Sequence, residues 1–428
     1  MRPELSASAT VRVLAIADTD SYLKWSAATL DALPHSWESS QLLIRNPVMP
    51  SEAQIGVSSS RPVEVVSFGA LVRRIRRERP DVVLLACTGP VVAALTAHRV
   101  FWRRNRPVLI TGLPGISVPA SKRAVATRAA CDLFVVHSKR EIAEFGAFAA
   151  SQAPRLACGL ASLPFLLNRL PTPVAGSARE HHLVFAAQAK VPAARVHREQ
   201  ILLALADAGS GVVKLRAWSE EQQTHNETWS YPKIMEDLVE QRRASPGAVA
   251  FVAGSMHDAL RRARGLATVS STAALEAIAM DRPILIISDF GVSAEMINVV
   301  FEGSGCVGTL DDLRSGRFFR PDPLWLETNY FHRVAENDWL ERVSDLLAVR
   351  AAAQLPGRPQ LHASLRQRVR RRIRLLFPVR LWRHLTKYRV LVEIVRRRRT
   401  PQDPHLSAST DLPPPAAQMT SASSRSQR

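Results

Sequence analysis

The sequence predicts an α/β protein with two parallel, doubly wound domains. The chain has 428 residues, of which 46% are hydrophobic, and this length and composition suit two separate cores. Short apolar runs alternate with helix-forming stretches, a pattern typical of βαβ units in a parallel sheet. Two such series, residues 11–160 and 177–330, are separated by a stretch rich in Pro, Leu and Gly that has no clear period. Each series therefore predicts one Rossmann-like domain.

The first series supplies the elements of the N-terminal domain. Residues 11–17 form an apolar run, which predicts a first strand that is buried on both faces. Further strands are predicted at residues 63–67, 81–86, 107–111 and 132–136, and helices at residues 22–33, 68–79, 91–102, 122–130 and 141–150. Residues 45–61 are rich in Pro and Ser and predict a loop.

The loops that follow these strands carry the candidate cleft residues of the first domain. Loops at the carboxyl ends of strands in an open parallel sheet face the crevice where ligands bind. Glycines there allow a close backbone approach to a ligand, although loops use glycine for turns quite as often. The two aspartates after the first strand are equally suited to cap the next helix. The residues in question are Asp18, Asp20, Lys24, Gly112, Gly115 and His137.

The second series has the same alternation and carries several basic loop residues. Strands are predicted at residues 182–187, 211–215 and 249–252, and helices at residues 195–208 and 256–264. Lys190 lies in the loop after the first of these strands, while Lys214 and Arg216 lie at the end of the second. His225 follows in a polar loop, where a histidine is more often only solvated.

The stretch 266–287 of the second series is the strongest local pattern in the chain. A short strand is followed by the hydroxyl-rich turn Ser270, Ser271 and Thr272, then by a helix that carries Glu276, and then by a second apolar strand. The first turn of a helix exposes unpaired N–H groups at its positive end, and hydroxyls there add donors for a phosphate. The same three residues also form a normal helix cap. The turn is therefore a candidate anion site.

This stretch resembles the nucleotide-binding unit of GT-B glycosyltransferases, in which it lies in the C-terminal domain and holds a nucleotide-sugar donor. Ser271, Thr272, Glu276 and Pro283 match the pattern. With Ser270 they give a serine pair similar to that of bacterial capsule and polysialic-acid transferases. In layout, residues 11–330 also resemble an uncharacterised bacterial family that is labelled as glycosyltransferases. The resemblance implies two Rossmann-like domains that face a cleft, with the acceptor domain first.

The resemblance also implies roles for the candidate residues. The donor is expected on the hydroxyl turn, supported by Glu276, Lys190, Lys214 and Arg216. Arg216 stands where the capsule-type enzymes have a His-Pro pair, so the role of that histidine is open, with His225 as its alternative.

Transfer to a hydroxyl needs a base, and Asp18 or Asp20 could supply it from the opposite domain, with His137 and His225 in reserve. Residues 18–20 match the spelling of a DxD metal motif, but so short a pattern is common by chance. We expect no metal and no cofactor.

The C-terminal part of the chain predicts a closing helix, a basic segment and a disordered tail. Residues 325–350 predict helix, and residues 331–355 are expected to pack back on the first domain as the last helix of GT-B enzymes does. The net charge of +19 is concentrated in the segment 356–400, where Arg and Lys surround apolar residues at helical spacing. Residues 401–428 are rich in Pro, Ser and Gln and predict disorder.

The basic segment predicts an amphipathic helix at an anionic membrane surface. The four cysteines are scattered, which suits a reducing cytoplasm, and the sequence has neither a signal-peptide pattern nor an apolar run long enough to span a membrane. We therefore expect a cytoplasmic enzyme at the inner face of the cell membrane. Lipid-linked or cell-surface glycans would be its acceptors. The alternatives are a sugar-nucleotide epimerase of the same layout and a non-catalytic protein that binds nucleic acid or membranes. Against nucleic acid, the charge lies in one terminal segment and lacks the aromatic residues interleaved on a sheet that bind single strands.

Overall fold

The computed structural model describes residues 10–46, 50, 52–59, 61–103, 105–167, 182–215, 229–261 and 263–357. These ranges include most of both predicted domains, which belong to one compact unit of the chain. The predicted basic segment beyond Gly357, the predicted tail, Arg216 and His225 lie outside the described residues.

The N-terminal domain is built on a parallel sheet. Its strands are β1 (Arg12–Ala17), β2 (Glu38–Ile44), β3 (Val63–Val66), β4 (Val82–Ala86), β5 (Val108–Gly112), β6 (Leu133–Val136) and β7 (Ala157–Leu160). Among the described residues the strand order is β3-β2-β1-β4-β5-β6-β7, and every pair is parallel. The order reverses between β1 and β4, so the loops after these two strands diverge and leave a crevice.

Helices cover both faces of this sheet. The helices are α1 (Asp20–Asp31), α2 (Glu52–Ser58), α3 (Phe68–Glu78), α4 (Gly89–Leu95), α5 (Lys122–Arg128) and α6 (Lys139–Gln152), with a 3₁₀ turn at Arg99–Trp102. Apolar residues of α3, α4, the 3₁₀ turn, α5 and α6 share one core with the sheet, whereas α1 packs on the opposite face. The central strands β1, β4, β5 and β6 are buried on both faces, which explains their continuous apolar runs.

The second domain repeats the arrangement. A short helix α7 (Pro164–Leu167) precedes the strands β8 (His182–Ala186), β9 (Gly211–Lys214), β10 (Val249–Val252), β11 (Ala263–Thr268), β12 (Ile284–Ile287) and β13 (Val307–Gly308). In the described part of the chain they form a parallel sheet in the order β10-β9-β8-β11-β12-β13. The helices are α8 (Arg195–Asp207), α9 (Tyr231–Glu240), α10 (Met256–Arg261), α11 (Ala273–Ala279), α12 (Leu310–Arg314) and α13 (Pro323–Thr328). The switch point lies between β8 and β11.

The chain then returns to the first domain as α14 (Trp339–Ala351). Trp339 and Val343 are buried in the same core as β1, β5 and β6. Asp338 accepts a hydrogen bond from the Leu160 amide at 2.7 Å, and Arg350 forms an ion pair with Asp81 at 2.8 Å. These apolar and polar contacts hold α14 against the first sheet.

The structure corrects several details of the expected elements. The helix expected at residues 91–102 is divided into α4 and a 3₁₀ turn, and the helix expected at residues 256–264 ends at Arg261, because β11 begins at Ala263. β2 was not predicted, because its first three residues are polar and only partly buried. The loop expected at residues 45–61 contains α2. The helix expected at residues 325–350 is divided into α13, a 3₁₀ turn at Val334–Glu336 and α14, since residues 329–333 leave the helical path to cross between the domains. In the described part of the chain, every helix is too short or too polar to span a bilayer.

Candidate active site

At the switch point of the second domain, one glutamine side chain bridges the loops that follow β8 and β11. Gln188, at the end of β8, accepts a hydrogen bond from the Ser270 amide at 2.9 Å and donates one to the Ser270 carbonyl at 2.9 Å. The Ser270 hydroxyl donates to the Ile297 carbonyl in the loop after β12. Ser270 is therefore a buried structural residue of the predicted turn, and it fixes the position at which α11 begins.

Ser271 and Thr272 are the hydroxyl residues that reach the start of α11. The Ser271 hydroxyl accepts from the Ala273 amide at 3.2 Å, while its own amide donates to Thr268 at 3.2 Å. Thr272 occupies the cap position, yet its side chain makes no capping bond. Both side chains are partly exposed. Of the three hydroxyls, that of Thr272 is thus the one with no part in building the turn.

Arg198 of α8 holds the loop that presents Gln188 and Lys190. Its guanidinium is fully buried and donates to the carbonyls of Pro192 at 2.9 Å, Ala189 at 2.9 Å and Gln188 at 3.2 Å. Buried charge is tolerated when such hydrogen bonds replace water. Arg198 therefore holds the loop through its backbone carbonyls. The Lys190 side chain is exposed and takes no part in these hydrogen bonds.

Glu276 lies within a group of basic side chains from both domains. Burial raises the pKa of its carboxyl group, and the charges of Lys24, Lys214 and His257 act in the opposite direction. Lys24 belongs to α1 of the first domain, Lys214 to the end of β9, and His257 to α10. Lys214 also donates to the Leu215 carbonyl at 2.5 Å. Three of the residues predicted for the cleft are therefore close enough to interact electrostatically.

The first domain approaches the hydroxyl turn at Gly115. A Cβ atom placed on Gly115 would lie 3.3 Å from the Thr272 methyl group. Any side chain at this position would press on the turn, so here glycine does serve a close approach between backbone and site. The predicted cleft residues Gly115 and Thr272 therefore lie on its two opposing walls.

Asp18 closes the switch point of the first domain, as Gln188 closes that of the second. One of its oxygens accepts from the Thr88 amide at 2.9 Å and from the Thr88 hydroxyl at 2.6 Å. Its other oxygen is buried and has no hydrogen-bond partner. Burial raises the pKa of Asp18, opposed by Thr88 and by the charge of Arg128. Arg128 is itself buried and donates to the Tyr22 hydroxyl at 2.9 Å.

Asp20 is placed differently from Asp18. It is the first residue of α1 and is partly exposed, while Thr19 supplies the helix cap by accepting from the Tyr22 amide. Residues four apart share a helix face, so Asp20 lies on the same face as Lys24. Because Lys24 interacts with Glu276 across the domains, this face of α1 is turned towards the cleft.

His137 and Gly112 pack against Trp25 of α1, within the first domain. The His137 ring is fully buried; Nδ1 lies 2.9 Å from the Ala161 carbonyl, and Nε2 accepts from the Trp25 indole at 2.9 Å. Burial lowers the pKa of His137 to about 4. A Cβ atom on Gly112 would overlap the Trp25 ring at 2.3 Å. Both ring nitrogens of the expected reserve base are thus engaged, and Gly112 makes room for tryptophan.

Glu141 of α6 forms hydrogen bonds that connect the two domains next to His137. It accepts from the Tyr330 hydroxyl at 2.6 Å, from the Ser117 amide at 2.9 Å and from the His137 amide at 2.8 Å. Tyr330 is packed in the core of the second domain, whereas Ser117 lies in the loop between β5 and α5 that also carries Gly115. Burial raises the pKa of Glu141 to about 7, although the three donors favour its charged form.

Several residues of this site were not singled out from the sequence. Asp18 and Ser270 were expected to act on substrate, but their structural partners Thr88 and Gln188 come from loops about 70 and 80 residues away in the chain. The alternation of strands predicts that such loops meet, yet it does not say which side chains pair. Glu141 was read only as a helix start. Within the described residues, no three His, Cys, Asp or Glu side chains are grouped to hold a metal ion.

A family model described as "Putative glycosyltransferase (DUF6716)" matches residues 13–346, which include both domains. Among curated protein sequences, none matches the chain significantly.

Solved structures share the two-domain GT-B-like layout. One is described as a "putative UDP-N-acetylglucosamine 2-epimerase from Listeria monocytogenes", with a TM-score of 0.52 and 12% identity over 83% of this chain and 100% of that one. Another is MnaA of S. aureus with UDP, with a TM-score of 0.51 and 10% identity over 83% and 100% of the two chains. At these identities the likeness shows the fold.

The raised pKa of Glu141 predicts a specific pH dependence of stability. In the unfolded chain this carboxyl ionises near its ordinary value of 4.5, whereas in the folded protein it keeps its proton until about pH 7. Its contribution is therefore fully present below pH 4.5 and is lost as the pH rises to 7, by up to about 3 kcal/mol. Glu141→Gln should abolish this loss. Urea unfolding of both proteins between pH 4.5 and 8 measures it.

Tyr330→Phe is the matched control for this experiment. It removes a donor that favours the charged carboxylate, so the pH-dependent loss should persist or grow. Parallel pH profiles for the parent protein and Glu141→Gln would show that Glu141 does not titrate in this way.

Proposed function

Since the chain belongs to the glycosyltransferase family whose model it matches, we propose that it transfers a sugar from a nucleotide-sugar donor to a glycan or lipid-linked acceptor. One structural observation supports this most directly. The hydroxyl turn at the second switch point faces Gly115 of the first domain, and Glu276, Lys24 and Lys214 interact beside it. To bind a nucleotide-sugar, a site needs hydrogen-bond donors and cations for the phosphates, and a carboxylate that accepts hydrogen bonds from the sugar hydroxyls.

The donor is proposed to bind on the second domain. The hydroxyls of Ser271 and Thr272 are proposed to face its phosphates, and Lys214 and Lys24 supply positive charge from the two walls of the cleft. Glu276 is proposed to accept hydrogen bonds from donor hydroxyls. The S. aureus structure that shares this fold was solved with UDP, which supports a uridine nucleotide as the first donor to test.

The acceptor is proposed to approach from the first domain. Its hydroxyl oxygen attacks the anomeric carbon, the bond from that carbon to the donor phosphate breaks, and a base takes the hydroxyl proton. We propose Asp20 as this base, because it is partly exposed on the Lys24 face of α1. Asp18 is proposed to hold the loop after β4 through Thr88. No step in this scheme requires a metal ion.

The alternative of a sugar-nucleotide epimerase has support from the structural likeness, since solved proteins of the same layout carry that description. The two activities differ in their products. Incubation of the protein with UDP-N-acetylglucosamine alone would yield an epimerised nucleotide-sugar from an epimerase. Transfer instead requires an added acceptor and releases the nucleotide.

We also propose that the enzyme works at the cytoplasmic membrane face and is held there by the basic segment 356–400. Fifteen basic residues against one acidic residue between Arg358 and Arg399 support this placement. Acceptors of the cell envelope, as used by the capsule-type enzymes that the donor turn resembles, would be presented at this surface.

Replacing Ser271 with Ala and Thr272 with Val should weaken nucleotide binding about 10- to 100-fold. Hydrogen bonds to charged groups are worth roughly 1.5–3 kcal/mol, and the Thr272 change keeps the shape of the side chain. Calorimetric titration with UDP, GDP, CDP and CMP measures the effect. Thr328→Val, on α13, is the control and should leave affinity unchanged. Equal affinity in the folded double variant would remove the turn from the donor site.

Asp20→Asn should lower kcat by about two to four orders of magnitude and leave donor affinity nearly intact, since it removes the base without changing size. Asp18→Asn, which disturbs the Thr88 contacts, should lower stability more than turnover. Nucleotide release in the presence of acceptor gives kcat, and thermal unfolding gives stability. If only Asp18→Asn stops turnover, Asp18 is the base; if neither does, the base lies elsewhere.

A chain that ends at Gly357 should lose most of its affinity for anionic vesicles and keep its fold, because the described contacts of Pro356 and Gly357 with Arg106 and Arg155 are retained. Co-sedimentation with vesicles of anionic and of neutral lipid at physiological salt compares this chain with the full chain. Equal sedimentation of the two chains would refute the role of the segment.

A further inference from the structure

A second concentration of positive charge lies on the first domain, far in sequence from the basic segment. The helix α3 buries its four apolar residues against the sheet and turns its arginines outward. The 3₁₀ turn at Arg99–Trp102 packs beside it, with Phe68 edge-on to His98 at 5.2 Å. Together they form what we call the basic helical face, whose exposed members are Arg73, Arg76, Arg77, Arg79, Arg99 and Arg103.

The arginines of this face differ from many others on the protein surface in their lack of acidic partners. On α6, α8 and α12, Arg140, Arg195 and Arg314 each form an ion pair with a nearby carboxylate. Of the basic helical face, only Arg77 does so, with Glu78. In the described part of the chain, no carboxylate lies within 4.0 Å of the other five arginines. Their charges are therefore left for an external partner.

The shape and chemistry of the face fit a lipid headgroup surface. Arginine stems can lie along the helix surface while their charged ends reach lipid phosphates. Trp102 is partly buried at the rim, with its indole donating to the Thr96 carbonyl at 2.7 Å and Arg106 stacked 5.1 Å from its ring. Tryptophan in such a position suits the interface between water and lipid.

Nucleic acid is the competing partner for a surface of this charge. Single strands bind on exposed aromatic rings that stack with bases. Among the described residues, the large apolar side chains that are exposed are Val196, Trp229, Ile297, Leu324 and Val334, and all of them lie elsewhere. Trp102, the aromatic residue of the face, is partly buried with Arg106 over its ring, so the face has charge without a fully exposed ring on which bases could stack.

We propose that the basic helical face is a membrane-docking surface that binds the anionic headgroups of a lipid bilayer. It deepens the proposed placement of the enzyme at a membrane and rests on that part of the proposed function, but it assigns contact to residues of the first domain. The domain expected to bind the acceptor would then lie directly against the surface that presents a lipid-linked acceptor. The basic segment and this face would act as two separate contacts, whose effects multiply when both reach the surface.

Charge reversal on the face tests the proposal in the full chain. The variant Arg73→Glu, Arg76→Glu and Arg99→Glu removes outward charges that make no contact with the core. The matched control, Arg242→Glu, Arg261→Glu and Arg264→Glu, changes the net charge equally on exposed positions of the second domain. Each protein is sedimented with vesicles of 30% anionic and of purely neutral lipid, with thermal unfolding to confirm folding. Transfer to a water-soluble acceptor is measured in parallel.

The face variant should lose at least tenfold in partition to anionic vesicles, because each basic residue near such a surface contributes on the order of fivefold. The control should change threefold or less, and transfer to the soluble acceptor should stay unchanged in both. Equal losses in the two variants, or none in the face variant, would overturn the proposal while leaving the role of the basic segment intact. So would a variant that keeps vesicle binding but loses binding to duplex or single-stranded nucleic acid.

Discussion

The buried carboxylate of Glu141 is the interaction on which the geometry of the cleft depends. A carboxylate without a cationic partner is costly to bury, and here three hydrogen-bond donors lower that cost. One donor comes from the loop that carries Gly115, one from the backbone of His137, and one from Tyr330 in the core of the other domain. Glu141 thus ties the loop that carries Gly115 to the core of the second domain, which contains the hydroxyl turn.

The two domains solve the same physical problem with different side chains. A parallel sheet that reverses its strand order leaves a gap between two diverging loops, and their backbone groups need partners. Asp18 bridges this gap to Thr88 in the first domain, and Gln188 bridges it to Ser270 in the second. The carboxyl bridge of Asp18 is accompanied by the Arg128 guanidinium, whereas the amide bridge of Gln188 needs no counter-ion. In the second crevice, where the donor is proposed to lie, the largely buried acid is instead Glu276, with Lys24 and Lys214 near it.

The fold could be read from the sequence because buried parallel strands leave unmistakable apolar runs, and the βαβ unit at residues 266–287 was located to within a few residues. β2 was not predicted, because only its second half is buried and its first half has no apolar run. The site was harder to read. Sequence position indicated that Asp18, Ser270, Gly112 and His137 lie at strand ends, but their roles depend on partners that tertiary packing supplies: Thr88, Gln188, Trp25 and Ala161. Lys24 and Glu276 are close enough to interact, and Gly115 approaches Thr272, but what these residues bind stays a prediction.

The return of α14 to the first sheet has a consequence for how the lobes could be exchanged. Trp339 and Val343 complete a core whose other members lie in residues 11–161, so the first lobe is discontinuous in the chain and the second is an insertion within it. A fragment cut after β7 would expose the apolar surface that α14 covers. Recombination between relatives would preserve both cores only with two junctions, one after β7 and one before Asp338. The unit that can be exchanged is therefore the inserted second lobe, and both of its ends must be joined to the first lobe.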